Sequence, residues 1–426
     1  MKSESAEINT SASPQITWTG RQIFLVALLP VITCLLFVSS PIDPLPYTFP
    51  SPLPRLEAGL KKNTLLQQAD RWFEGLLIGP ESFAADTNGT IYTGTADGRI
   101  FSIKQKGLSL VARTGIDHPQ CGSAEFEPRC GRPKGMKIGP DGKLYVVDSY
   151  KGLLKVDLDT GDVETVVSNK DGSEGVPFRF LNSMDISSDG IIYFTDSSNK
   201  WERRDFRYAV LETRPDGRVI RYDIRTGICR TLLSGLYLAN GIALTADEDA
   251  LLIAEMSIAR IRRFYLKGEK AGTSDIFVDN LPGYPDNIKL NTRGNFYVGS
   301  GSVRFKGSSP IGSFLDLIGP YPSAKKVIAA VNLTESLYVF SLNTSRSKFP
   351  SGTPLSAYNV FMPKHALVVE INNDGLIVGS LHDPVSVRIG AASEAFEFNG
   401  TVFIGHYQSP YLGVLSSATI NAERSA

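Results

Sequence analysis

The segment DGKLYVVDSYKGLLKVD, residues 141–157, contains the repeating unit from which the fold can be inferred. It opens with an Asp-Gly turn, which leads into the apolar run LYVV. A second turn, SYKG, then leads into another apolar run, LLKV. Short apolar runs that alternate with turn residues are typical of antiparallel strands joined by tight connections.

The same unit recurs along the chain. It returns as NGTIYTGTADGRIFSI, DGIIYFTDSS, EDALLIAEMSIARIRRF, RGNFYVGS and NGTVFIGHYQSPYLGVLS. The turn residues of the six units are Gly89, Gly142, Gly190, Asp249, Gly294 and Gly400, with spacings of 53, 48, 59, 45 and 106 residues. All but the last spacing match the blade period of a β-propeller. We therefore predict an all-β, six-bladed β-propeller over residues 71–420; a pair of β-sandwiches is the alternative, although it does not explain the period.

The long last spacing predicts an insertion at about residues 305–345. The segment 313–342 mixes apolar and charged residues without strict alternation, and part of it is helical in pattern. Strand patterns resume at ALVVEINNDGLIVGSL, residues 366–381, as the remainder of the fifth blade. The insertion is either a simple packing element or a lid over one face of the ring, where it would contact substrate or membrane.

The N-terminus predicts a membrane anchor. Residues 23–38, IFLVALLPVITCLLFV, form an apolar run that with its flanks reaches the length needed to span a bilayer. Arg21 precedes the run and no Lys or Arg follows before Arg55, which predicts a cytoplasmic tail (1–20), a transmembrane signal-anchor helix (21–40) and a Pro-rich stalk and connecting segment (41–70). The protein would then be a single-pass type II membrane protein of the secretory pathway, in the endoplasmic reticulum or plasma membrane, with a lumenal or extracellular propeller. A cleaved signal peptide is the alternative.

Cysteines and sequons fit an oxidising compartment. Cys121 and Cys130 flank a short polar loop that a disulfide could close, while Cys229 is expected to be a buried thiol. Four sequons would be available as lumenal glycosylation sites, at Asn88, Asn332, Asn343 and Asn399. The formal net charge is zero, which argues against nucleic acid as a partner.

Oxygen-bearing side chains recur just before the innermost strand of several units. They are Glu81 in the first, Asn182 in the third, Asn240 in the fourth, and Asp286 with Asn287 in the fifth. Because the inner strands of a propeller all start beside its axis, side chains at one phase of several blades converge on one point. Carboxylate and amide oxygens with two negative charges are the ligands of a hard divalent cation, and we predict Ca²⁺ there. Each residue taken alone has an ordinary structural explanation, such as turn formation by Asn240.

The chain resembles the strictosidine synthase-like family. The resemblance lies in CGRPKGMKIGPDGKLYVVDSYKGL, FLNSMDISSDGIIYFTDSSNKW, LANGIAL, PDNI and SLHDP, and extends from about residue 75 to the C-terminus. It implies a six-bladed propeller related to calcium-dependent paraoxonases and gluconolactonases, with the five residues above at positions similar to the paraoxonase calcium ligands. Where strictosidine synthases carry a catalytic Glu, this chain has Ser393 with Glu394 beside it. At the positions of the paraoxonase histidine pair it has Lys134 and Ser149.

The sequence leaves three functions open. The first is a membrane-anchored, calcium-dependent hydrolase of arylesterase type that takes a small hydrophobic ester, with His382, His406 and Glu394 as weak catalytic candidates. The second is a non-catalytic, membrane-tethered propeller that binds a partner and uses calcium structurally. The third is a strictosidine synthase-type condensing enzyme, which the substitution of Ser393 for the catalytic Glu disfavours, since a slip of one residue turns Glu394 to the other face of the strand.

Overall fold

The computed structural model describes residues 39–306, 308, 310–330 and 365–425. Within them, 24 strands form six antiparallel sheets of four strands each. In five sheets the four strands follow one another in sequence from the axis outwards, which is the order of a propeller blade. The prediction of an all-β, six-bladed propeller is thereby confirmed.

The first three blades cover residues 83–236. Their strands are β2 (Phe83–Ala85), β3 (Ile91–Gly94), β4 (Arg99–Lys104) and β5 (Gly107–Arg113); β6 (Pro133–Ile138), β7 (Leu144–Asp148), β8 (Gly152–Val156) and β9 (Val163–Ser168); and β10 (Leu181–Ile186), β11 (Ile191–Asp196), β12 (Gly217–Asp223) and β13 (Cys229–Leu236).

The other three blades complete the ring. Their strands are β14 (Ala239–Leu244), β15 (Ala250–Glu255), β16 (Arg260–Tyr265) and β17 (Ser274–Val278); β18 (Gly283–Leu290), β19 (Phe296–Val303), β20 (Ala366–Ile371) and β21 (Ile377–Asp383); and β22 (Glu394–Phe398), β23 (Thr401–Gly405), β24 (Leu412–Ser416) and β1 (Asp70–Trp72). The sixth sheet therefore contains both ends of the domain, because β1 pairs with β24 through Asp70 opposite Val414 and Trp72 opposite Leu412. This pairing closes the ring.

Each predicted turn lies between the first and second strands of a blade. The glycines at these turns have a positive φ, for example +83° at Gly89 and +74° at Gly142, a conformation that costs a residue with a Cβ more. In the fourth blade the residue with a positive φ is Glu248, at +53°, and not its neighbour Asp249. Four of the predicted metal ligands lie eight positions before these residues: Glu81, Asn182, Asn240 and Asp286. Their distance from the turn is therefore more regular than the offsets counted from the sequence alone.

The core lies between neighbouring blades. The first and second blades, for example, bury a shared apolar layer that includes Tyr92, Ile100, Leu144, Val146 and Leu154. Since strands alternate in direction, the connections between second and third strands lie on the same face as the start of each inner strand. We call this face the ligand face.

The ligand face carries most of the helices. They are α1 (Glu127–Cys130), α2 (Phe206–Glu212), α3 (Pro310–Ile318) and α4 (Pro322–Ala330), while α5 (Ser417–Ser425) follows the last blade. Short 3-10 helices occupy Ala58–Leu60, Leu65–Gln68, Arg203–Asp205 and Met256–Ile258. Helices α3 and α4 fall in the predicted insertion, between β19 and β20; the rest of the insertion, with Asn332 and Asn343, lies outside the described residues.

The Pro-rich segment predicted as a stalk lies against the ligand face. Leu45 N donates to Glu212 O at 3.0 Å and Tyr47 N donates to Gly319 O at 2.9 Å. Ile42 is buried with Leu211 of α2, Ile318 of α3 and Ala329 of α4. The segment before the propeller is thus held against the insertion.

The membrane anchor predicted at 21–40 lies almost wholly outside the described residues, as does the tail at 1–20. In the part of the chain that the structure describes, no helix has the length and apolar character needed to cross a bilayer.

The predicted disulfide between Cys121 and Cys130 is present, in the connection from the first to the second blade. Cys229 is a free thiol but only half-buried, in β13, where burial raises its pKa to about 11. The sequon residues Asn88 and Asn399 are both exposed, at the turns of the first and sixth blades.

Candidate metal centre

All five residues predicted as metal ligands are buried at the axis. Their relative exposures are 3% for Glu81, 3% for Asn182, 4% for Asn240, 3% for Asp286 and 2% for Asn287. Glu81, Asn182 and Asn240 lie at or just before the start of an inner strand, whereas Asp286 and Asn287 are the fourth and fifth residues of β18, at a register shift between Pro285 and Ile288.

Direct contacts join the first blade to the second, the second to the third (Ser149 Oγ donates to Leu181 O at 2.7 Å) and the third to the fourth around this ring. The Lys134 ammonium of the second blade pairs with Glu81 Oε1 of the first. In the third blade, Asn182 Nδ2 donates to Ser197 Oγ at 3.1 Å, and Ser197 Oγ donates to Ala239 O of the fourth blade at 2.5 Å. The residue after Ala239 is Asn240, so this chain of bonds places two predicted ligands side by side.

The fourth, fifth and sixth blades meet equally closely. Gly241 lies so near the fifth blade that a Cβ on it would be 2.5 Å from Asp286 O and 2.6 Å from Asn287 Cα. Asn287 N in turn donates to Ser393 O at 2.9 Å. The absence of a side chain at Gly241 is therefore what allows Asn240 to approach Asp286.

The geometry leaves one oxygen of each predicted ligand without a partner. These buried atoms are Glu81 Oε2, Asn182 Oδ1, Asn240 Oδ1, Asp286 Oδ1 and Asn287 Oδ1, and Ser393 Oγ shares the property. A buried oxygen without a hydrogen bond costs ~1–3 kcal/mol, so the concentration of such atoms at the axis is an observation that a bound ligand would explain. Oxygens alone, with two carboxylates among them, fit a hard cation. Within the described residues no three His, Cys, Asp or Glu side chains form a metal-binding group, as expected when amides supply most donors.

The asparagine amides are held with their oxygens free. Asn182 donates its nitrogen to Ser197, and Asn240 Nδ2 points to the Met256 sulfur at 3.2 Å. With Nδ2 of Asn182 and Asn240 engaged in this way, Oδ1 is the atom that these two side chains have left for a cation, while a further side-chain hydrogen bond joins Asn240 to Asp286. Such supporting contacts are what orient ligands around bound metals.

Two cations also border the ring. Lys134 is 5% exposed and contacts Glu81 directly, and Arg132 Nη2 lies 3.9 Å from Glu81 Oε2 while donating to Tyr407 O at 2.7 Å. Burial by itself raises the pKa of Glu81, but Lys134 and Arg132 outweigh burial and hold that pKa below its ordinary value. For Lys134 the balance is reversed: burial lowers its pKa more than the nearby carboxylates raise it.

Asp286 has no such cation in direct contact. Burial, followed by the negative charge of Glu81, raises the pKa of Asp286 to about 7, although Lys134 acts in the opposite direction. The two carboxylates of the ring are therefore unequal: Glu81 is paired directly with Lys134, whereas the charge of Asp286 is stabilised only by the side chains of Ser393 and Asn240 and by the more distant ammonium of Lys134, which do not outweigh burial.

Sequence reasoning missed Lys134 and Ser393 as members of the ring. Lys134 lies eight residues before Gly142, the same phase as Glu81 before Gly89, so its position was visible in the sequence. Ser393 lies seven residues before Gly400 and contributes the sixth blade's buried oxygen.

The weak catalytic candidates are placed differently. Glu394 is fully buried between blades, where it accepts hydrogen bonds from Ser82 Oγ at 2.8 Å and Phe83 N at 2.9 Å. His382 lies on the outermost strand of the fifth blade, bonded to His365 at 2.8 Å and Ser380 at 3.0 Å. Neither belongs to the ring around the axis.

His406 lies next to the ring. Its backbone nitrogen donates to Pro80 O at 2.8 Å, which places it beside Glu81, and burial lowers its pKa to about 4. Gln408 N donates to His406 Nδ1 at 3.3 Å, so the proton of the neutral ring belongs on Nε2. His406 is therefore arranged to donate a hydrogen bond.

An apolar cluster lies next to Asn240. Phe180, Ala209 and Leu238 are buried together there, and Phe206 and Met256 pack against them. The Met256 sulfur contacts Asn240, so this cluster reaches the predicted ligands.

Two family descriptions match the chain. "Strictosidine synthase-like, N-terminal" matches residues 59–103 and "Strictosidine synthase" matches residues 182–269. The chain is 39% identical to adipocyte plasma membrane-associated protein of Bos taurus, over 90% of this chain and 87% of the relative. It is 34% identical to strictosidine synthase-like 10 of Arabidopsis thaliana, over 79% of this chain and 84% of the relative.

The fold also matches solved structures. A gluconolactonase from Xanthomonas campestris superposes with a TM-score of 0.52 at 15% identity, covering 89% of this chain and 96% of that one. At this identity the likeness concerns the propeller fold. The relatives above, which align over 79–90% of this chain, lead to one conclusion: the chain belongs to the strictosidine synthase-like family, as a homologue of the adipocyte plasma membrane-associated proteins.

Proposed function

We propose that the protein is a membrane-anchored, calcium-dependent hydrolase of arylesterase type. The observation that carries the proposal is the ring of buried oxygens without partners at the axis. Glu81, Asn182, Asn240, Asp286 and Asn287 would hold the ion, with Ser393 as a sixth candidate. When bound, Ca²⁺ would polarise an ester carbonyl and stabilise the negative charge that develops on its oxygen.

The chain's own residues divide the remaining tasks. Asp286 is the carboxylate available to take a proton from an attacking water, because Glu81 is already paired with Lys134. His406, with its proton on Nε2, is suited to donate a hydrogen bond to a developing oxyanion or a leaving group. The apolar cluster at Phe180, Leu238 and Met256 would receive the hydrophobic part of a small ester.

Three further features support this proposal. A lactone is a cyclic ester, and the structure from Xanthomonas campestris with the same fold is named a gluconolactonase. The disulfide and the exposed sequon residues Asn88 and Asn399 suit a lumenal or extracellular propeller on a type II membrane protein. The relatives from Bos taurus and other vertebrates are named plasma membrane-associated.

Hydrolysis of phenyl acetate by the purified full chain in detergent tests the proposal. We expect turnover with calcium, loss of turnover in a chelator, and loss in Asp286→Asn. Asp374→Asn is the matched control, because Asp374 is exposed in a turn of the same blade. Undiminished turnover in the chelator, or full activity of Asp286→Asn, would refute the metal mechanism.

One observation favours the second candidate, a non-catalytic scaffold with a structural ion. Lys134 neutralises Glu81 within the ring, so part of its charge is balanced without a metal. In that case calcium would raise the melting temperature of the full chain without any ester turnover. The condensing-enzyme alternative gains nothing from the structure, since Glu394 is engaged by Ser82 and the Phe83 nitrogen.

A further inference from the structure

The insertion helix α3 has an apolar side that faces away from the protein. Phe314 and Leu317 are 44% and 68% exposed, and Tyr321, in the turn that follows, is 60% exposed. Phe314 and Leu317 are three residues apart and therefore lie on one side of the helix. We call Phe314, Leu317 and Tyr321 the α3 patch.

The other side of α3 is fixed to the propeller. Ile318 is buried, and Asp316 accepts hydrogen bonds from Tyr284 Oη at 2.7 Å and from Arg304 Nε at 3.0 Å. Arg304 is itself 1% exposed. The helix is thus held rigidly, and the outward position of the patch follows from how the inner side is bound.

The Pro-rich segment that precedes the propeller is bound to the same helices. Ile42 is 3% exposed and packs with Ile318 of α3 and Ala329 of α4. The apolar run predicted as the membrane anchor ends at Val38, four residues earlier. Four residues span at most about 14 Å, so a bilayer crossed by that run has its surface within about this distance of Ile42.

We propose that the α3 patch docks on the same bilayer, inserting Phe314, Leu317 and Tyr321 among the lipids. Exposed aromatic and leucine side chains on a fixed helix are the usual means by which a protein face lies on a membrane interface. Continuity with the anchor selects a lipid surface over a second protein. The inference rests on the membrane topology in the proposed function.

The docking has a consequence for the substrate. Tyr284 lies two residues before Asp286 on the same chain segment, and it is bonded to α3. The patch and the oxygen ring are therefore on the ligand face together, and docking turns that face towards the membrane. The hydrophobic ester would then be one that partitions into the bilayer.

Photo-crosslinking of the full chain in phosphatidylcholine nanodiscs tests this proposal. The nanodiscs would contain a phosphatidylcholine with a diazirine in its acyl chain, and labelled peptides would be identified by mass spectrometry. We expect labels on residues 23–38 and on 314–321. In Phe314→Ser/Leu317→Ser the second label should fall by about fivefold or more, because most of the apolar area that inserts is removed.

Leu376→Ser is the matched control. Leu376 is 62% exposed, close to the value for Leu317, but it lies between the third and fourth strands of the fifth blade, on the face away from the ligand residues. Both labels should be unchanged in this variant, and all variants should retain the melting temperature of the native chain, because the substituted positions are exposed.

The outcomes separate the hypotheses. A label on 23–38 without one on 314–321 overturns the docking and leaves the anchor intact. Absence of both labels overturns the docking together with the anchor. A label on 314–321 that is equally strong in the double variant shows contact independent of the patch and overturns its role. Phenyl acetate turnover in detergent is scored separately, so failure of the hydrolase proposal is distinguishable from each of these results.

Discussion

Replacement of Lys134 by methionine tests the electrostatic account of the axial ring. Lys134 and Glu81 have side-chain exposures of 5% and 4%, so the two form a buried ion pair. Removal of one partner from such a pair costs ~3–5 kcal/mol, because the remaining charge stays buried without compensation. Arg132, 3.9 Å from Glu81 Oε2, would compensate part of it. We therefore expect Lys134→Met to lower the free energy of unfolding by about 3 kcal/mol in a chelator, the low end of that range.

Calcium should reverse the effect. A cation that binds the ring in Lys134→Met replaces the lost ammonium and no longer meets its repulsion. Two unit charges about 4 Å apart interact by roughly 4 kcal/mol at an effective dielectric constant of 20, so even a third of that energy raises affinity about tenfold. We expect Lys134→Met to bind calcium at least about tenfold more tightly than the native chain.

The assay is denaturant unfolding of the full chain in detergent, in chelator and at stepped calcium concentrations, with calorimetric titration of the ion. Lys137→Met is the control, since Lys137 lies on the same strand and pairs with Asp185 but has 45% of its side chain exposed. An exposed pair of this kind contributes at most about 1 kcal/mol and should leave calcium affinity unchanged. Undiminished stability of Lys134→Met in chelator, or calcium affinity equal to that of the native chain, would refute the reasoning.

Three other perturbations have defined outcomes. Serine at both Cys121 and Cys130 should lower the free energy of unfolding by about 2–3 kcal/mol under non-reducing conditions, the value for a loop of this size; an unchanged denaturation midpoint would contradict it. Burial lowers the pKa of His365 to about 4 and that of His382 to about 3, so the unfolded chain binds more protons below about pH 6.5. The free energy of unfolding should therefore fall between about pH 6.5 and 4 by about 1.4 kcal/mol per pH unit for each of the two imidazoles. Equilibrium unfolding of His382→Gln should show a shallower dependence of that free energy on pH. Gly241→Ala should cost ~1–3 kcal/mol and weaken calcium binding, because its Cβ would lie 2.5 Å from backbone of the fifth blade; calcium titration of this variant with native affinity would show that the close approach is dispensable.

The fold was predictable because its information is local. Each blade can be recognised from a turn followed by an apolar strand within about a dozen residues. Six repetitions at a similar period leave few alternative folds. The positions of the predicted metal ligands could be inferred for the same reason, since a fixed offset from the turn places a side chain at the axis. The offset of one residue in the fourth blade arose because a positive φ at the non-glycine residue Glu248 has no signature in composition, although Asp249 lies in the same turn.

The features that could not be predicted from the sequence depend on contacts between residues far apart in the chain. A lysine at the start of an apolar strand gave no indication that its ammonium pairs with Glu81, 53 residues earlier and in another blade. The Pro-rich segment was likewise expected as a stalk, whereas Asp43 N donates to Glu212 Oε1, 169 residues away. Such partners are set by the closure of the ring, so no local pattern records them.

The net charge of the axial ring determines whether calcium should affect ester hydrolysis more than it affects the stability of the fold. Without an ion, the carboxylates of Glu81 and Asp286 are balanced by the ammonium of Lys134 and by the guanidinium of Arg132, which lies 3.9 Å from Glu81 Oε2, so the buried space carries no net charge when all four groups are ionised. An ester oxyanion formed there would have no net positive charge to stabilise it. A bound divalent cation gives the same space a net positive charge, which would attract the oxyanion in surroundings where electrostatic interactions are strong. The folded state gains only the binding energy of the ion, whereas ester hydrolysis changes from an unassisted to an assisted reaction. If the protein is a hydrolase, its activity should therefore disappear at calcium concentrations that still leave the propeller folded.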